Sequence, residues 1–202
     1  MPAAPRLILF NKPFGVQCQF RAVEHRRTLK DYIPVPGVYP GGRLDADSEG
    51  LVVLTNDGAL QHRISDPRHK FAKTYWVQVE NIPTPDALAV VADGVNLGDY
   101  ITQPAQVRVA MEPEWIWPRT PPIRTRKHIP TCWLELILRE GKNRQVRRMT
   151  AATGHPTLRL IRFSIGPWDL TGMAPGEWCE IPFPATFRPD TDLLRCNKRP
   201  AG

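Results

Sequence analysis

This 202-residue chain is poor in the residues that hold metals or staple folds. Its four cysteines, Cys18, Cys132, Cys179 and Cys196, are scattered, with neither a C-x-x-C pair nor a Cys/His ligand spacing. They read as reduced thiols, buried or incidental. Five histidines, at 25, 62, 69, 128 and 155, form no H-x-x-x-H pair on a plausible helix, so no metal site is expected. No apolar run approaches the roughly 20 residues needed to span a bilayer. Met1 to Arg6 leads only into a short apolar stretch before Asn11 and Lys12, which excludes a signal peptide and makes the cytoplasm the expected compartment. Acidic charge is also in deficit. Twenty Asp+Glu against 27 Lys+Arg leave a net charge of +7 and a pI near 9.5, which favours a polyanionic partner such as nucleic acid. What remains, 42% hydrophobic residues, is enough for a core in one domain or two small lobes.

Hydrophobic periodicity places the elements. Leu7 to Phe10 reads as a buried strand ending at the turn Asn11-Lys-Pro-Phe-Gly15, which presents a lysine. Thr28, with Asp31 three residues on, starts a short helix stopped by Pro34 and Pro36. Leu51 to Thr55 is an apolar strand, and Ala59, Leu60 and Ile64 have the spacing of a short helix. Lys73 to Val79 alternates as a half-buried strand, and a helix from Asp86 to Asp93 follows Thr84-Pro85 and ends at Gly94. The Pro-, Trp- and Arg-rich stretch from Met111 to Pro130 reads as an extended surface loop. Trp133 to Arg139 is a strand, and Arg144 to Thr153 is a helix with Asn143 as cap and Gly154 as terminator. Strands at Leu158 to Ile165 and Trp178 to Ile181 complete an α+β pattern with a largely antiparallel sheet. Residues from Pro184 onward read as a tail.

Two constellations carry chemistry. In Gly41-Gly-Arg-Leu-Asp-Ala-Asp-Ser-Glu-Gly50, glycines flank a dense set of charges just before a buried strand. If residues 43–45 are extended, Arg43 and Asp45 face one side and the arginine keeps the carboxylate ionised and usable as a nucleophile. The plain alternative is a set of solvated turn carboxylates. In Glu140-Gly-Lys-Asn-Arg-Gln-Val-Arg-Arg-Met149, Arg144, Arg147 and Arg148 crowd the start of a helix, where cations oppose the macrodipole at roughly 0.3–1 kcal/mol each. Such crowding calls for an anion, a phosphate or a protein carboxylate. Tyr75 is either core packing or a platform for a displaced base.

Asn11-Lys-Pro-Phe-Gly15, Gly42-Arg-Leu-Asp45 with Gly50 to Gly58, Lys73-Thr-Tyr75 and Arg144 to Met149 together resemble the small-subunit-type (RsuA) family of rRNA pseudouridine synthases. Trp117-Pro-Arg, Pro121-Pro-Ile-Arg and Ile129-Pro-Thr point within it to the large-subunit (23S) E group, as does a chain that begins directly at the catalytic domain without an S4-type domain. The resemblance implies a pseudouridine synthase fold of two subdomains around a mixed, mainly antiparallel sheet with a central cleft. It implies a catalytic domain over residues 1–185 and a flexible basic tail over 186–202. It also implies isomerisation of a specific uridine in 23S rRNA after base flipping, without cofactor or metal, by a cytoplasmic monomer with no obligate protein partner. The substrate would be the rRNA or a pre-ribosomal large-subunit particle. Asp45 matches the catalytic aspartate, Tyr75 the ring against the target base, and Arg147 the basic partner of the aspartate. Leu160 is chosen as the apolar residue under the base, with Leu158 and Ile161 close by. Arg43, Lys12, Arg144, Arg148 and Arg159 are expected to bind substrate. Ser48 stands where many relatives have threonine and keeps the hydroxyl. A non-catalytic RNA-binding protein would not need Gly42-Arg-Leu-Asp45, and a nucleosidase would not need this basic charge.

Overall fold

The computed structural model describes residues 4–65, 71–123, 126 and 128–183. In chain order the elements are β1 (Leu7–Lys12), a 3-10 turn (Leu29–Asp31), β2 (Tyr39–Pro40), β3 (Glu49–Thr55), α1 (Gly58–Ser65), β4 (Lys73–Glu80), α2 (Pro85–Asp93), β5 (Gln106–Ala110), β6 (Thr131–Leu138), α3 (Gln145–Ala152), β7 (Thr157–Ile165), β8 (Trp168–Asp169) and β9 (Trp178–Ile181). This is the expected α+β class. The chain forms two compact units, Met1–Phe71 with Phe163–Gly202, and Ala72–Arg162, the boundary falling inside β7. The tail expected from Pro184 lies outside the described residues.

In the first unit β1 lies between β3 and β9, antiparallel to both, with Leu7 opposite Thr55 and Ile181. Every residue of β1 and β3 is buried. Continuous apolar runs such as Leu-Ile-Leu-Phe and Leu-Val-Val-Leu suit strands covered on both faces. One apolar cluster joins Ile8, Phe10, Val52 and Leu54 to Leu29, Ile33, Val38 and Leu44. The expected helix at Thr28 is a single 3-10 turn, held by Asp31, whose carboxylate accepts from the Thr28 backbone N–H at 2.7 Å. Asp57 starts α1 in the opposite sense, as a cap that accepts from the Leu60 N–H three residues on, at 2.6 Å. Cys18 is a free buried thiol, as is Cys132 in the second unit. Cys179 departs from the expected reduced state and is disulfide-bonded.

In the second unit β6 lies between β4 and β5, antiparallel to both. The start of β7 runs beside β4, where the Glu80 N–H donates to Pro156 O. β4 alternates strictly, with Lys73, Tyr75, Val77 and Val79 on the buried side. That side packs with Leu134, Leu136 and Leu138 of β6, Val91 of α2, Val146 and Met149 of α3, and Leu160 of β7. Thr84 caps α2 by accepting from the Ala87 N–H, with Pro85 in its first turn. The opposite side of β4 carries Trp76, which meets Trp115 edge to face with ring centres 6.0 Å apart, and Trp115 in turn meets Trp117 at 6.0 Å. The segment read as a surface loop thus spends two tryptophans on the sheet. A large ring buries enough area to dominate local packing.

Candidate active site

The loop from Gly42 to Ser48, between β2 and β3, carries Asp45. It is irregular, but Leu44 turns into the core at 6% exposure, while Arg43 is exposed and Asp45 half-buried. The apolar residue between the two charges is therefore the anchor that keeps both at the surface. The Ser48 N–H donates to Asp45 O at 3.1 Å, closing a tight turn, and the Gly15 N–H donates to Ala46 O at 2.7 Å. At the loop entrance the Gly41 N–H donates to Val53 O, and a Cβ on Gly41 would lie 3.0–3.2 Å from three atoms of Ile64. Gly42 follows with φ +127°, a region that a side chain disfavours. Backbone contacts thus hold the carboxylate's loop at both ends, the rigidity a reacting group needs.

Lys12 differs from its expected role. It is the last residue of β1, fully buried, and its ammonium donates to Pro13 O and Val16 O, both at 2.9 Å. Two strand residues beyond the predicted end place it inside, where it shapes the 13–16 turn. That turn supplies the Gly15 N–H to Ala46, so Lys12 supports the Asp45 loop through its backbone contacts.

In the second unit Tyr75 and Leu160 belong to one apolar cluster, at 7% and 5% exposure. Of the three neighbouring candidates on β7, Leu160 alone lies in that cluster with Tyr75. Lys73, two residues before Tyr75 on the same face, is buried as well, and burial together with the nearby Arg162 cation lowers its ammonium to about 8. Lys73 appears in the sequence block with Tyr75, yet alternation alone did not single it out as a buried charge.

The arginine helix is built differently from expectation. Arg144, not Asn143, is the N-cap of α3, in a left-handed conformation with φ 50° and ψ 28° and without a side-chain cap bond. Arg147 is half-buried and donates to Thr157 O at 3.3 Å. Arg148, expected to hold phosphate, instead donates to both carboxylate oxygens of Asp99 and, at 2.9 Å, to Leu97 O. The hydrogen bond from Arg148 keeps the Asp99 carboxyl below its usual range, and the same contact raises Arg148. The anion demanded by the crowded cations is thus a protein carboxylate here. Arg159 also departs from expectation: it is 4% exposed, with its guanidinium carbon 5.6 Å from the centre of the Trp117 ring. Of the phosphate-binding candidates, Arg43 and Arg144 are exposed. Among the described residues no group of three or more His, Cys, Asp or Glu side chains is placed to hold a metal ion, and no helix is long and apolar enough to cross a membrane.

The family model described as RNA pseudouridylate synthase matches residues 6–152, spanning the Asp45 loop, β4 and α3. The chain belongs to the RNA pseudouridylate synthase family. It is 58% identical over 171 residues to the ribosomal large subunit pseudouridine synthase E of Xanthomonas axonopodis pv. citri, covering 84% of this chain and 90% of the relative. To the protein of the same name from Vibrio vulnificus it is 53% identical over 183 residues, covering 91% and 78%. A crystal structure of a pseudouridylate synthase superposes with a TM-score of 0.72 at 28% identity, covering 89% of this chain and 71% of that one. The resemblance carried by the four sequence blocks, and the fold it implied, are borne out. As a family member the chain is an isomerase.

Proposed function

We propose that this chain isomerises a uridine of 23S ribosomal RNA to pseudouridine, with Asp45 as the catalytic carboxylate. The observation that carries the reading is the half-exposed Asp45 on a loop held by Leu44, Gly15 and Gly41, within the Gly-Arg-Leu-Asp block of a synthase family. In the reaction the bond from C1′ to N1 breaks, the uracil turns, and a bond from C1′ to C5 forms. The C5 proton leaves, N1 gains one, and the atoms balance without a cofactor. The target base first leaves its stack, at a cost of a few kcal/mol. Asp45 then adds to C6, attacks C1′, or takes a proton as a glycal forms; each route begins from the ionised carboxylate. Tyr75 packs against the flipped base and Leu160 lies under it, while Arg147 is the basic partner assigned to the aspartate by the family resemblance. Arg43 and Arg144 contact phosphate, which orients RNA without reading sequence. Residues 1–185 form the catalytic domain. The enzyme acts in the cytoplasm as a monomer without an obligate protein partner, on rRNA or on an assembling large-subunit particle.

The test is incubation with unmodified 23S rRNA, then carbodiimide and alkali, then primer extension. A new stop that Asp45→Asn abolishes, with RNA affinity kept, is the expected result. Persistence of the stop in Asp45→Asn removes that residue from its role, and release of free uracil would make the chain a hydrolase.

A further inference from the structure

The start of α3 poses a problem that its arginines do not solve. Its first turn holds no acidic residue, and its N-cap contributes no side-chain bond, although the first N–H groups of a helix and a left-handed non-glycine residue both need support. Gln145, the first helical residue, is buried at 3% exposure. Its Oε1 accepts from the Lys142 backbone N–H at 3.0 Å, so the side chain reaches back over the turn that precedes the helix. Its Nε2 donates a short hydrogen bond to Glu140 Oε1, and also lies 3.8 Å from Met149 Sδ one turn along α3. Glu140 is itself 4% exposed, and the same oxygen accepts from the Gln103 N–H at 2.8 Å. The amide orientation is fixed by this network, because the flipped form would face a donor with a donor and a carboxylate with a carbonyl. A buried amide and a buried carboxylate together tie the end of β6, the turn, the first residue of α3 and the segment before β5 into one unit.

We propose that Gln145, held by Glu140, is a positioning residue for the isomerisation: it fixes the left-handed entry into α3 and hence the placement of Arg147, two residues on. This rests on the role assigned to Arg147 above. Buried polar networks of this kind set geometry more than they add stability, since each group gives up water to join them. A reacting group displaced by about 1 Å can lose on the order of a hundredfold in rate. Gln145 is buried and its side chain is spent on Lys142 and Glu140, so the loss should fall on turnover and leave RNA binding in place.

The test uses the full chain with Gln145→Glu, which sets a carboxylate against Glu140, and the exchanged pair Glu140→Gln with Gln145→Glu. In the exchanged pair the amide at 140 donates to the carboxylate at 145, which still accepts from the Lys142 N–H. Because a single Glu140 oxygen accepts from both Gln145 and the Gln103 N–H, the amide at 140 turns to keep its own oxygen on the Gln103 N–H; the exchange removes the repulsion and restores the bond between 140 and 145. Single-turnover rates at saturating rRNA, RNA dissociation constants and circular-dichroism melting are measured below the melting range of every variant, with Arg147→Ala and Asp45→Asn alongside. The expected result is a loss on the order of ten- to a hundredfold in rate for Gln145→Glu, with the RNA dissociation constant little changed and the rate recovered in the exchanged pair. Full turnover by Gln145→Glu, equal losses in rate and affinity, or an exchanged pair that regains melting temperature but not rate would each overturn the proposal. Full turnover by Arg147→Ala would overturn it together with the assigned role of Arg147. If Arg147→Ala fails while Gln145→Glu works, only the positioning role falls.

Discussion

Replacing Lys73 with methionine should stabilise the protein at neutral pH, and the gain should disappear as the solution becomes alkaline. Lys73 opens β4 opposite Leu138, is 9% exposed, and has Cε and Nζ 3.8 Å from where a Cβ on Gly141 would stand. Its ammonium falls from 10.5 to about 8, mainly through burial and secondly through the Arg162 charge. A shift of that size corresponds to about 3 kcal/mol against the charged form in the fold. Below pH 8 the folded and unfolded chains both hold the proton, and the fold bears that cost in full. Between about pH 8 and 10.5 the unfolded chain holds a proton that the fold has released, so stability rises with pH by about 1.4 kcal/mol per unit. Methionine has similar length, no charge and good packing tolerance. Urea unfolding followed by tryptophan fluorescence, for wild type and Lys73→Met across this range, should show the variant ahead by about 2–3 kcal/mol near pH 7 and the two curves converging towards pH 10.5. A difference that is flat with pH, or a variant less stable at pH 7, would refute the reasoning, because the ammonium would then be held by contacts worth more than its burial costs.

Lys12→Met should behave in the opposite sense. Methionine fills the same space but leaves Pro13 O and Val16 O without the ammonium that both accept from, at about 1–3 kcal/mol for the buried Val16 O and less for the half-buried Pro13 O; denaturant titration reads the loss, and an unchanged midpoint would mean that water reaches both carbonyls. Ser48→Ala should leave stability unchanged or raise it by up to about 1 kcal/mol, because Ser48 is fully buried and its hydroxyl oxygen has no hydrogen-bond partner among the described residues. A clear drop in melting temperature would reveal a partner for that hydroxyl.

The parts of the fold that the sequence announces are those decided by local patterning. β1, β3, β4, β6 and β7 follow from unbroken apolar runs or from strict alternation, and α2 from Thr84-Pro85 and Gly94. β5 escaped notice because Gln-Val-Arg-Val-Ala, although it alternates, is short and mostly exposed: Val109 faces solvent and only Val107 and Ala110 are half-buried, so no buried face marks it. Two-residue strands such as β2 and β8 exist only through their partners, Thr55 and Leu54 for β2 and Ser164 and Ile165 for β8. The site follows the same division. Asp45 is legible because glycine, charge and the following strand are contiguous, and Tyr75 because it sits on an alternating strand.

What the sequence could not show is which charges the fold consumes. Lys12 looks like a turn lysine until β1 extends through it, and Arg148 looks like a phosphate ligand until Asp99, 49 residues away, meets it. Arg159 is claimed in the same way by Trp117, from a segment that composition alone makes a surface loop. An exposed salt bridge such as that of Arg148 and Asp99 adds little stability by itself, so its meaning lies in where it holds the chain: Arg148 also takes Leu97 O, and Lys142 lies over the Tyr100 ring with Nζ 3.5 Å from its centre. The 97–100 loop is thereby tied to the start of α3, where Gln145 and Glu140 already fix the entry to the helix. Of the three arginines that crowd this helix, one is held by a carboxylate, one by a backbone carbonyl across to Thr157, and one is exposed at the cap. The dipole penalty that made the motif conspicuous is thus met by different means at each position, which is why identical residue types in one short motif take different roles.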